Sequence, residues 1–144
     1  MQEDKLRSLL SRATEEPPKA ENLDESGLPD RTSGQYQPYS RPANKPLYSL
    51  HFVSPAGTVT SMQYVHLDSH STYTAECITL TFLGIKAVKV AIHGRCLWKM
   101  YDLLHQHRIA WIMHAPRDFA QDGETVITKV TFEKVKLEYD ESTP

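Results

Sequence analysis

The sequence predicts a small α+β domain. One antiparallel sheet of five to six strands, open or strongly curled toward a barrel, should pack against one long helix. Three observations lead there. Apolar and polar residues alternate with a period of two through much of residues 47–93 and again over 125–137. One stretch switches to helical spacing, with Leu97, Met100, Tyr101 and Leu104 at offsets of 0, 3, 4 and 7. The composition is also divided. Residues 1–46 hold six of the nine prolines, and Val, Ile, Phe and Trp all come later.

The first 46 residues read as a disordered polar, Pro-rich arm. Residues 4–14 have the pattern of a short helix, with Leu6, Leu9 and Leu10 on one face, suited to folding onto a partner groove. An isolated helix of that length is marginal in water. Pro17 and Pro18 stop it. From 15 to 46 there is too little apolar surface to offset the entropy of ordering. Within this stretch Tyr36, Pro38, Tyr39 and Pro42 are the residues best suited to dock on the domain or on a partner.

A single domain is expected over residues 47–139, with 140–144 a frayed tail. Residues 47–53 read as the first strand, Tyr48, Leu50 and Phe52 sharing a face. The turn Ser54-Pro55-Ala56-Gly57-Thr58 leads to a second strand over 59–67. Residues 72–83 and 85–93 follow as a tight hairpin about Gly84. Ile78, Leu80 and Phe82 line one face of the first, and Val88, Val90 and Ile92 one face of the second. The helix is expected over 95–107, without a strong N-cap residue but with His105, His107 and Arg108 near its C-terminal end. Residues 109–113 suit a buried or edge strand, and 125–137 the last one. The order is β-β-β-β-α-β-β.

Net charge is −2 and evenly spread, with seven basic and eight acidic residues in 1–46 and nine and ten beyond. That balance disfavours generic nucleic-acid binding and polybasic membrane attachment. No apolar run is long enough to span a bilayer. Cys77 and Cys96 are too few and too far apart for a disulfide framework or zinc site, and the expected compartment is the cytosol. No catalytic or cofactor motif occurs, so the expectation is a non-enzymatic module that binds another protein. Its candidate surface is Trp98, Tyr101 and Arg95, together with Leu6, Leu9 and Leu10. A second copy of the chain is a further candidate partner, through the exposed edges of an open sheet.

Two alternatives attach to particular residues. Extended backbone over 66–70 would point His66, Asp68 and His70 to one side, offering two imidazoles and a carboxylate to a metal. Lys86, Lys89, Arg95 and Lys99 with Trp98 would suit a nucleic acid. Gly94 and Arg95 at the start of a helix could also receive an anion, although tight packing explains the glycine as well.

Overall fold

The period-two segments form strands, but these divide between two sheets instead of one. The computed structural model describes residues 23, 27–29, 36–116 and 123–135. Strands β1 (Ser49–Val53), β2 (Val59–Gln63) and β6 (Trp111–Met113) make a three-stranded sheet in the order β2-β1-β6. Strands β3 (Thr72–Tyr73), β4 (Cys77–Leu83), β5 (Ala87–Arg95) and β7 (Val126–Val135) make a four-stranded sheet in the order β3-β4-β5-β7. The β1–β6 pair is parallel, and the other pairs are antiparallel. Neither sheet closes among the described residues, so the barrel variant does not occur.

One core lies between the sheets and the helix. Leu50 and Phe52 of β1 and Ile112 of β6 meet Ile78, Leu80 and Phe82 of β4 and Val90 and Ile92 of β5. The alternation recognised in the sequence gives these strands one apolar face each, and burying those faces together is what unites two sheets in one domain.

The expected second strand ends early. After Gln63 the chain leaves the small sheet through a 3-10 turn, Tyr64–His66, and joins the large one, where Asp68 N–H donates to the Thr81 carbonyl at 2.8 Å. Tyr64 anchors this crossing. It is buried, its hydroxyl donates to the Ile109 carbonyl at 2.6 Å, and its ring stacks on His107 at 4.5 Å. Burial raises the Tyr64 pKa well above the ordinary phenol value.

The helix, α1, is short rather than long, Trp98–His105. Strand β5 continues through Gly94 and Arg95, which pair with Ile127 and Val126 across a bulge. A Cβ at Gly94 would collide with the Val126 carbonyl, so close packing of two strands requires glycine there. Gly94 N–H is already taken by the Glu76 carbonyl at 3.0 Å, and the helix begins four residues later. The anion reading therefore loses its helix terminus. Cys96 lies before the helix, not in its first turn, with φ +54. At the other end, His107 N–H donates to the Leu104 carbonyl and Arg108 N–H to that of Leu103. This is a Schellman cap with histidine at φ +57, where glycine is usual.

The folded unit also begins upstream of residue 47. Residues 36–47 run as a strap beside the chain leaving the helix. Met113 N–H donates to the Pro38 carbonyl, Ser40 N–H to that of Trp111, Ala43 N–H to that of Arg108, and Leu47 N–H to that of His107, at 2.8 to 3.0 Å. Buried Ser40 accepts the Ala110 N–H on its hydroxyl at 2.7 Å. Tyr36 and Leu28 pack with Val53, Trp111 and Met113 on the face of the small sheet turned away from the main core. The helix expected over 4–14, the rest of the arm and the tail lie outside the described residues.

Candidate interaction surface

Helical spacing sets one side of the surface. Trp98, Tyr101 and His105 follow one another at i, i+3 and i+7, so they share a face of α1. That face meets the edge strand β3, whose Tyr73 pairs with Ile78 of β4. Three rings gather there. Tyr73 and Trp98 meet edge to face with centroids 5.1 Å apart, Tyr73 and Tyr101 lie at 5.5 Å, and Trp98 and Tyr101 at 5.7 Å. Tyr101 in turn meets the His105 ring at 4.6 Å. The rings touch one another, so they form a continuous platform rather than an open cage around a cation.

Polar contacts hold this platform in place. Ser71 Oγ lies 3.0 Å from Tyr101 Oη and 2.9 Å from His105 Nε2, tying the lead-in of β3 to the helix. Trp98 is nonetheless 58% exposed. Its partners Tyr73 and Tyr101 limit the rotamers it can take while leaving much of the indole in water.

A serine 2.9 Å from an imidazole is also the opening pair of a nucleophilic site. Here the Tyr101 hydroxyl shares the same serine oxygen, and no carboxylate is bonded to the other nitrogen of His105 among the described residues. The group acts as a tether between strand and helix.

The other sequence candidates are dispersed. His66 ends the 3-10 turn, Asp68 has joined the edge of β4, and His70 lies in the bend before β3, so the extended HxDxH string does not form. No group of three His, Cys, Asp or Glu side chains with metal-binding geometry occurs among the described residues. Lys86 and Arg95 stand at opposite ends of β5, about 30 Å apart by strand rise. Lys89 pairs across the strands with Glu133. The cations do not form one patch around Trp98. Cys77 stands opposite His93 on the outer face of the large sheet, but its Sγ has only a long 3.7 Å contact to the Ile78 carbonyl. A shallow groove of about 340 Å³ between residues 40–44 and Ala110 and Trp111 presents little titratable chemistry beyond Arg41.

Helical periodicity singles out Trp98 and Tyr101. Tyr73, in a two-residue strand, and Ser71 just before it carry no local signal in the sequence, and His105 sits where a helix-end charge is expected anyway. The i, i+4 relation of His105 to Tyr101 was the available signal. No helix among the described residues is long and apolar enough to cross a membrane. Compared with protein-family models, curated proteins and solved structures, the chain matches none of them.

Proposed function

We propose that this domain is a binding module that recognises a peptide segment of another protein on the Trp98 platform. The observation that carries this reading is the exposure of Trp98 while Tyr73 and Tyr101 hold its ring. Tryptophan and tyrosine offer large contact area with few rotatable bonds, and rings ordered before binding lose little entropy when a partner arrives. Ser71 and His105 supply hydrogen-bonding groups at the rim, which suits a polypeptide backbone crossing an apolar platform.

Peptide selection on the immobilised full chain tests the reading. Trp111 is buried, so a change in tryptophan fluorescence reports on Trp98. Selected peptides should alter that fluorescence and bind Trp98→Ala about thirtyfold more weakly, the loss typical of a hot-spot residue. Peptides that bind Trp98→Ala as well as the parent, or a selection that enriches nothing, would overturn the proposal.

A further inference from the structure

Strand β7 is the long edge of the four-stranded sheet. It pairs with β5 on one side; on the other, Ile127 is covered by the Tyr36 hydroxyl and the Ala115 N–H, and past it no strand pairs with β7 among the described residues. At the opposite edge, β3 has only two residues, while β7 has ten. A long edge with unpaired N–H and C=O groups is a template for another strand, and soluble proteins usually blunt or cover it. The lysines at 129 and 134 would serve as such a guard against most partners.

The sequence of β7 suits one partner in particular. Continuing the sheet across a two-fold axis requires antiparallel pairing in which each residue meets a partner on its own face. When the axis passes through Thr131, Lys129 of each copy faces Glu133 of the other. Val130 then faces Phe132, and Thr131 faces itself. Lys129, Thr131 and Glu133 share the outer face, whereas Val130 and Phe132 lie on the core side, where Phe132 is still 41% exposed. Moving the axis one residue toward the C-terminus places Val130 opposite Lys134 and Thr131 opposite Glu133. Moving it one residue the other way places Lys129 opposite Thr131 and Glu133 opposite Ile127. One register therefore satisfies both opposite-charge pairs and both apolar pairs, and in that register the lysine at 129 becomes an attractive group.

We infer that the chain forms a symmetric homodimer by β7–β7 pairing about Thr131, giving one continuous eight-stranded sheet. This surface is independent of the Trp98 platform, which lies at the β3 edge. The two platforms would stand seven strand spacings apart, about 34 Å before sheet curvature. A dimer could thus engage a partner carrying two suitable segments with increased avidity.

Sedimentation equilibrium of the full chain should give twice the chain mass. Glu133→Lys sets lysine against lysine twice and should weaken association about tenfold, and adding Lys129→Glu should restore it. Circular dichroism checks that the variants are folded, since Glu133 also faces Lys89 within one chain. A second measurement reads the register itself. In a background of Cys77→Ser and Cys96→Ser, Thr131→Cys should oxidise to a disulfide-linked dimer, because residues facing each other across strands have Cα atoms about 4.5–5.5 Å apart. Lys134→Cys, offset by about 20 Å from its own copy, should not. A monomeric parent chain overturns the inference. So does a dimer that withstands Glu133→Lys, or cross-linking through position 134 instead of 131.

Discussion

Tyr36 provides the sharpest test of whether the strap belongs to the fold. Its hydroxyl donates to the Met113 carbonyl of β6 at 2.9 Å and accepts the Ile127 N–H of β7 at 2.9 Å. One oxygen thus joins the small sheet to the large one. Tyr36→Phe keeps the ring against Val53, Trp111 and Met113 but leaves a carbonyl and an N–H without this partner. An orphaned buried group costs about 1–3 kcal/mol. Tyr36 is mostly but not fully buried, so the low end for each group applies and gives about 2 kcal/mol in total. With a urea dependence of about 2 kcal/mol per molar, the unfolding midpoint should fall by about 1 M with an unchanged slope. Tyr48→Phe, at a position 92% exposed, is the control and should stay within about 0.5 kcal/mol of the parent. If Tyr36→Phe unfolds with the parent's midpoint, the bridge contributes nothing and the strap is an appendage after all.

Four further outcomes follow from the same contacts. Burial raises the pKa values of Tyr36, Tyr39 and Tyr64, so the folded state keeps protons that the unfolded chain releases above pH 10. Their stabilisation should be complete below pH 10 and decline above it by up to about 1.4 kcal/mol per pH unit for each tyrosine, and Tyr36→Phe should remove its own share of that slope in urea titrations. Gly94→Ala drives a methyl into the Val126 carbonyl, which the paired strands cannot move aside, and should destabilise by about 3 kcal/mol in the same assay. His107→Ala loses the stack on Tyr64 while keeping the left-handed backbone, a loss of about 1 kcal/mol. His107→Gly loses the stack but relieves the backbone, so its melting temperature should exceed that of the alanine variant. Ser40→Ala removes the acceptor for Ala110 N–H, and hydrogen exchange at Ala110 should accelerate as stability falls by about 1–3 kcal/mol.

The parts of the fold that were legible are those governed by local periodicity. Ile78, Leu80 and Phe82, and likewise Val90 and Ile92, alternate because a sheet buried on one face requires it, and the structure buries these same residues. The helical stripe of Leu97, Met100 and Leu104 is buried as its spacing implied. What was not legible is set by distant partners. Nothing in residues 47–53 announces a parallel neighbour some sixty positions away, yet that pairing splits the strands into two sheets. Tyr64 continues a β-like string, and only the crossing to the other sheet, with the Ile109 carbonyl waiting, makes a 3-10 turn of it. The expected long helix loses its first residues because Gly94 lets β5 run on against β7.

The strap shows why composition misjudged its boundary. Residues 36–46 are poor in apolar side chains, and an estimate based on apolar burial alone leaves them unfolded. Their ordering rests on hydrogen bonds to backbone groups of β6 and of the chain leaving α1, made by Pro38, Ser40 and Ala43, with Tyr36 and Tyr39 as the large anchors on the two faces of the small sheet. A short strand such as β6, three residues long and buried throughout, needs partners on both edges to satisfy its N–H and C=O groups. Strand β1 supplies one edge, and the strap supplies the other. On β7 the edge away from β5 is supplied only at Ile127, by the Tyr36 hydroxyl and the Ala115 N–H, and beyond it no backbone partner occurs among the described residues, so a second copy has an edge to meet there and not at β6.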